Sequence, residues 1–489
     1  MFGVRNIKNL RRKALSGFIW SASDKLINQL GYLGVTVFIA RLIGPESFGL
    51  IGMLTIFMLL AESVVSNGFS QALVQRSQQL TEEDSSTIFY VNIGWGAAMY
   101  ILLYFCAPLI AKFYSQPQLV DIARVLFTVL LINSLTVVVR AKLTINIDFK
   151  SQAIASTFAT LLSSIVGVYL ALKGYGYWAL VWLLISKAAF NSLGVWFFCR
   201  WLPKLIFSYE SFKSLFKFGS NLMLAGLVAT FVNNLYVALI GRYFNATQVG
   251  YFTQATNLSN YASQFISSTL QGVTYPIMTS VKNDKKRLVS IYTQLISITM
   301  LISVPLLVGF AAVSEDLVKI ILGDEWLPAV PVLVALCFAR AITPISSINL
   351  NILNAVGRSD LFLKVDLSKL PMTLGALYIA LPYGIEGLAW AMVCTSFISF
   401  FINAYFPGKL FGFGGIAQLK VAYKYIIAAA VMYAAVTQVS ITGSLWLTLI
   451  AKIALGAVVY STLLVILRDT FVLQNAGPIV NKIKQRLVG

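Results

Sequence analysis

Long apolar runs alternate with short polar connectors along all 489 residues. A helix needs roughly 20 mainly apolar residues to cross the hydrocarbon of a bilayer. Fourteen stretches qualify, from 16–40 and 47–68 at one end of the chain to 420–438 and 444–466 at the other. Two of them, 248–278 and 328–354, are longer than a crossing requires and predict tilt or an extension past the membrane. Pro276, Pro305, Pro331, Pro344 and Pro371 lie in or at the mouths of spans, where they predict kinks or helix ends. The pattern predicts an all-α integral membrane protein of about 14 transmembrane helices, with no room for a sizeable soluble domain.

Composition sharpens this reading. Apolar residues make up 58% of the chain and charged residues only 11%, against about 25% charged in a soluble protein. The net charge of +19 comes from basic residues between the apolar runs, not from a basic-aromatic patch, so nucleic acid is not an expected partner. The basic residues set topology instead. Arg11, Arg12, Lys204, Lys213, Lys285 and Lys286 fall on one set of alternate connectors, and the sparser Arg41, Lys112, Arg124, Lys173, Arg242 and Lys319 on the other. The positive-inside rule then puts both termini in the cytoplasm, and the basic N-terminal stretch leads into a first span that stays attached. An exterior acidic cluster, Glu315, Asp316, Asp324 and Glu325, reads as a solvated loop. Histidine is absent, which excludes Ser-His-Asp hydrolases and the usual zinc chemistry. The four cysteines, Cys106, Cys199, Cys337 and Cys394, form no disulfide or metal motif.

The chain also repeats itself. Residues 37–50 align with 238–251, matching Arg41 to Arg242 and Gly49 to Gly250; residues 172–180 align with 382–390, matching Gly174 to Gly384. Each half holds six spans, so the repeats are parallel, a transporter architecture. The expected organisation is an N-lobe over 1–207, a C-lobe over 208–410, and spans 13 and 14 with a cytoplasmic tail over 411–489.

These residues resemble a known family. Leu42-Ile43-Gly44-Pro45-Glu46-Ser47-Phe48-Gly49-Leu50, Ala72-Leu73-Val74-Gln75-Arg76, Leu80-Thr81-Glu82-Glu83, Ile240-Gly241-Arg242 with Gly250-Tyr251, Gly323 with Trp326, and Gly384-Ile385-Glu386-Gly387 occur in order over spans one to twelve. They are similar to the Wzx-type oligosaccharide flippases, related to colanic acid and teichuronic acid exporters, of the multidrug/oligosaccharidyl-lipid/polysaccharide superfamily. The resemblance implies two six-helix lobes around a central cavity and alternating access. It implies translocation of undecaprenyl-diphosphate-linked oligosaccharide across the bacterial inner membrane, membrane lipid around it, and polysaccharide polymerase machinery as a possible partner.

Six charged residues fall inside predicted spans: Asp24, Lys25, Glu62, Lys187, Arg340 and Lys452. Each costs roughly 2.5–3.5 kcal/mol there without a partner or a wet cavity. Asp24, Lys25, Asn28, Gln29 and Tyr32 share one helical face, with Glu62 at similar depth in span two. Two readings stand: a Lys25–Glu62 ion pair that fixes the lobe, or Asp24 or Glu62 taking a coupling proton or sodium ion while Lys25 meets a phosphate. Arg340, with Ser347, Asn351 and Asn354 continuing its face, offers a fork suited to a diphosphate; its alternative is to hydrogen-bond the helix opened by Pro344. Gln254, Asn257, Tyr261, Gln264, Ser268, Gln271 and Tyr275 line span eight at steps of three and four, and Asn233 and Asn234 extend the line from span seven. Amides and phenols in such a row suit sugar hydroxyls, and equally suit hydrogen bonds between helices. Lys187 beside Asn191 is a weaker candidate, and Lys452, outside the repeat, reads as structural.

No GxxxxGK[ST] loop is present, so no nucleotide cofactor is expected and an ion gradient or the membrane potential supplies the energy. Two competitors are a cation-coupled multidrug extruder, whose carboxylate would be Asp24 or Glu62, and a membrane glycosyltransferase or polymerase, for which no exterior connector is long enough. The chain reads as a transporter and not an enzyme.

Overall fold

The computed structural model describes residues 2–66, 69–76, 80–281, 283–440 and 444–469, with backbone alone for 2–27 and for scattered positions within 217–276 and 359–363. Every regular element among them is helical. The chain forms two compact units, 1–253 and 254–489.

The first unit begins with α1 (Phe2–Ser66), which bends at Gly44-Pro45, and α2 (Phe69–Gln75). Next comes α3 (Glu82–Tyr114), started by a capping box in which the Asp84 amide donates to Thr81 Oγ1 and the Thr81 amide to Asp84 Oδ2, both at 3.1 Å. Residues 119–145 form three short pieces, α4 (Leu119–Leu126), α5 (Thr128–Ser134) and α6 (Val137–Ile145). The long α7 (Phe149–Leu172), capped by Asp148, packs along α8 (Tyr177–Cys199) and α1. Small residues permit that approach: Gly194 lies against Ala155, and Gly167 against Leu183 and Ile39. The helix α9 (Tyr209–Tyr243) packs on α1, α2 and α3, and α10 (Ala246–Ser280) runs across the boundary into the second unit.

The second unit continues with α11 (Lys285–Ala312), α12 (Ser314–Ile321), α13 (Val330–Ala341) and α14 (Thr343–Ala355). The predicted single span over 328–354 is therefore two helices. Pro344 explains the break, because its ring has no N–H to offer the Arg340 carbonyl four residues earlier and would collide with it. The chain proceeds through α15 (Ser359–Ser368) and α16 (Leu370–Ala380), with Pro371 in the first turn, then α17 (Gly384–Phe411), α18 (Gly415–Thr437) and α19 (Leu445–Ile466). Pro331, Pro344 and Pro371 mark helix starts as predicted, while Pro305 stays inside α11. The core gathers Tyr292, Met300, Ile348, Ile352, Phe400, Tyr425 and Met432 from α11, α14, α17 and α18.

Ten helical stretches among the described residues are long and apolar enough to cross a membrane. Two of them, Asn28–Gln75 and Lys364–Phe411, are 48 residues each and are interrupted midway, by the Gly44 bend and by the 3-10 turn Leu381–Tyr383. The apolar helices α3, α7 and α8 expose Phe105, Leu109, Ile165 and Phe197 on their outer surfaces, groups that water would not tolerate in such number and that lipid accepts. The molecule is a multi-pass membrane protein.

The sequence repeat has a physical counterpart. A Cβ on Gly49 would strike the Ala246 carbonyl oxygen, and a Cβ on Gly250 would strike that of Pro45. Positions 45 and 49 align with 246 and 250, so the contact is reciprocal, each copy offering the same glycine to the same partner position. Gly174 and Gly384, also aligned, have φ of 79° and 73°, which only glycine adopts cheaply.

Candidate functional site

In the first unit Asn28, Glu62 and Lys187 are engaged between helices. The Asn28 amide donates to Ser156 Oγ at 3.1 Å and to Thr157 Oγ1 at 3.4 Å, and its carbonyl accepts from Thr160 Oγ1 at 2.6 Å. It stitches α1 to α7. Gln29, one residue on, is half-buried. Glu62 Oε1 accepts from Asn133 Nδ2 of α5 at 2.9 Å, and Arg140 of α6 acts on the carboxylate electrostatically. Neither partner carries weight in the sequence, because nothing in α5 or α6 marks them as facing span two. The side chains of Asp24 and Lys25, and so the predicted Lys25–Glu62 pair, lie outside the described residues. Lys187 sits over the Tyr32 ring, 3.7 Å from its centroid, a cation–π contact on the face that Asn28 also occupies. The Asn234 amide donates to the Thr230 carbonyl of its own helix at 2.8 Å.

In the second unit, α10 carries the predicted polar row as one helix. Gln254 is buried, Asn257 and Tyr261 are half-buried and Gln264 is exposed. The side chains of Asn233, Ser268, Gln271 and Tyr275 lie outside the described residues. Arg340, half-buried on α13, meets this helix: its Nε donates to Ser259 Oγ at 2.9 Å and its Nη1 donates to Asn260 Oδ1. The fork is thus anchored one helix away, on residues just beside the row. The predicted continuation of its face through Ser347, Asn351 and Asn354 is interrupted by the break at Ile342, and Asn351 belongs to α14, half-buried.

Sequence reasoning missed the most buried polar cluster. Tyr292 of α11, Asn349 of α14 and Gln418 of α18 are each 0% exposed. Tyr292 Oη donates to Asn349 Oδ1 at 2.5 Å, Gln418 Nε2 donates to Tyr292 Oη at 2.9 Å, and Asn349 Nδ2 donates to Gln418 Oε1 at 3.1 Å. Gln418 Nε2 also reaches the Phe413 carbonyl at 3.1 Å. The one available signal was Gln418, an amide among mostly apolar neighbours just ahead of span 13.

The acidic cluster expected to be exterior is not uniformly solvated. Glu315 accepts from Lys319 four residues on at 3.0 Å, which holds the Lys319 amine above the ordinary lysine value. Asp316, by contrast, is buried and pairs with Lys452 of α19 at 2.5 Å. The expectation of a solvated Asp316 is corrected here, since the only cation inside α19 needs a counter-charge. Lys452 has the structural role expected of it.

Taken together these elements define a helical, multi-pass carrier with polar groups held inside apolar bundles. The chain belongs to the polysaccharide biosynthesis protein family, whose pattern matches residues 38–331. It is 28% identical over 349 residues to the teichuronic acid biosynthesis protein TuaB of Bacillus subtilis, covering 70% of this chain and 71% of that protein. It is 25% identical over 382 residues to the succinoglycan biosynthesis transport protein ExoT of Rhizobium meliloti, covering 77% and 76%. The fold is similar to that of the lipid II flippase MurJ in an inward closed conformation, with a TM-score of 0.75 at 16% identity over 93% of this chain and 100% of that one. That likeness assigns a two-lobe transporter fold.

Proposed function

We propose that this protein is a flippase that carries undecaprenyl-diphosphate-linked oligosaccharide units from the cytoplasmic to the outer leaflet for surface polysaccharide synthesis. The observation that carries the reading is the joint one just given: a flippase's fold over almost the whole chain, in a member of a polysaccharide biosynthesis family. The lobes, taken as 1–207 and 208–410, alternate between inward and outward access, with fourteen passes in all and both termini in the cytoplasm of the inner membrane. The lipid tail stays in the bilayer while the diphosphate and sugars enter.

In this reading Arg340 and Lys25 serve the diphosphate. Gln254, Asn257, Tyr261, Gln264 and Gln271, with Asn233, Asn234, Asn28, Gln29 and Asn351, serve the sugars. Arg340 would take the phosphate by exchanging Asn260 for it, since one guanidinium presents five donors and only two are engaged. Asp24 or Glu62 binds a coupling proton or sodium ion. Glu62 is suited to that role because its hydrogen-bond partner, Asn133, is neutral, although Arg140 also acts on the carboxylate. A polymerase that consumes the exported units is the expected neighbour.

The test is deletion of the gene, with mass spectrometry of undecaprenyl lipids and staining of surface polysaccharide. Accumulation of a diphosphate-linked oligosaccharide with loss of the surface polymer is expected. An unchanged lipid profile with new drug sensitivity would make the protein a cation-coupled multidrug extruder, and shortened lipid-linked sugars would make it an enzyme. In the complemented strain, Arg340→Lys keeps charge and loses the fork; undiminished export would remove Arg340 from the substrate path.

A further inference from the structure

A groove of about 530 Å³ opens between α15 and α17, lined by Lys364, Val365, Ser368, Ile402, Tyr405 and Phe406. Its floor is apolar, with Val365 buried, and Tyr405 stands 61% exposed at its edge. Pro371, in the first turn of α16, has no N–H for the Leu367 carbonyl, and α15 ends at Ser368. Lys364 is exposed, and its amine has no partner among the described residues. Lys369, five residues on, is already held by Asp366 at 2.7 Å, so the two cations of this segment differ in kind.

The position of Lys364 along the membrane stretch sets its depth. It lies midway along α15, on the apolar stretch that folds back at Leu381–Tyr383. The 17 positions from Lys364 to Leu381 span roughly 25 Å at 1.5 Å per residue, most of the thickness of the hydrocarbon core. Lys364 therefore lies near the interface opposite the turn, beside Tyr405 and Phe406, which line the same groove. An unpaired ammonium at headgroup level, above an apolar channel that runs into the hydrocarbon, is complementary to one molecule: a lipid with a phosphate head and a chain.

We infer that this groove holds an anionic phospholipid, its phosphate on Lys364 and one acyl chain against Val365, Ile402 and Phe406. A second groove serves as an internal control. The cavity of about 360 Å³ lined by Ile165, Val166, Tyr169, Leu170 and Trp182 has no cation in its lining, so chains pass there without headgroup preference. The lipid is a resident of the fold; its site rests on the membrane-spanning reading and is independent of which substrate the protein transports.

The experiment uses the full-length protein in nanodiscs of equal parts phosphatidylglycerol and phosphatidylcholine, released and weighed by native mass spectrometry. The wild type should retain one phosphatidylglycerol in preference to phosphatidylcholine. Lys364→Gln should weaken that retention about fivefold, as expected for one basic group at a membrane surface, and Lys364→Arg should preserve it. Ile402→Trp, which fills the channel and leaves the charge, should lose it as well. A diazirine-bearing phosphatidylglycerol should label α15 and α17 in the unmodified protein, a readout that needs no variant to fold. Equal retention of phosphatidylglycerol by wild type and Lys364→Gln overturns the proposal. So does labelling spread evenly over the second groove, or displacement of the bound phospholipid by undecaprenyl phosphate at stoichiometric amounts, which would assign the groove to the carrier lipid.

Discussion

The two units differ in how deeply their long-range ion pairs are buried. In the first, the strongest ionic contact sits at the end of α3: Lys142 pairs with Glu82 at 2.8 Å, Trp201 Nε1 donates to the other carboxylate oxygen at 2.8 Å, and the Lys142 amine lies 4.4 Å from the Trp201 ring centroid. Glu82 is half exposed. In the second, the Lys452–Asp316 pair and the Tyr292–Asn349–Gln418 cluster are sealed inside. The same chemistry thus fastens a connector at a membrane face in one unit and fixes helix positions within the bundle in the other. Water screens the first arrangement and cannot reach the second, so losses in the second should be larger.

The largest effect is expected from Asp316→Ala. It strands a buried ammonium and should cost about 3–5 kcal/mol, read as a fall in the thermal unfolding midpoint in detergent. Adding Lys452→Met should restore most of it, and no recovery in the double variant would show that Asp316 stabilises by some other contact. Gln418→Leu comes next. It removes a donor from Tyr292, Asn349 and the Phe413 carbonyl at once, for about 1–3 kcal/mol. Loss of helix-11 and helix-18 amide protection in hydrogen exchange should accompany it. Asn133→Leu strips Glu62 of its donor at a cost near 1 kcal/mol; export should change more than stability if Glu62 is a coupling carboxylate, and a stability loss alone would make it a structural one. Smallest is Glu82→Gln, expected at about 0.2–0.5 kcal/mol and shrinking as salt is raised. A loss as large as that of Asp316→Ala would erase the contrast between the units.

The helical class, the multi-pass character and the repeat were legible in the sequence because each depends on local or periodic features: run length, proline position, and a motif recurring at a fixed offset. Pro344 predicted a break and the break is there. Partners were not legible. Asp316 sits in a polar stretch that reads as loop, and its cation lies 136 positions away in a different apolar run. Asn349 stands between Ser347 and Asn351, yet it is the middle residue, not its neighbours, that is buried, since helical rotation turns consecutive positions about 100° apart. Asn28 was correctly turned away from lipid, but facing inward does not say whether a cavity or another helix waits there. The structure gives it α7.

The paired glycines at 49 and 250 carry a historical consequence. Two copies of one segment that touch each other through the same residue make an isologous contact, the kind a symmetric dimer makes. In a single-repeat ancestor, the glycine of each copy would have met the carbonyl four positions earlier in the other across the two-fold axis, and one mutation there would have spoiled both sides of the joint. After duplication and fusion each side answers to a separate codon, yet both remain glycine, because the two backbones still occupy the space that either side chain would need.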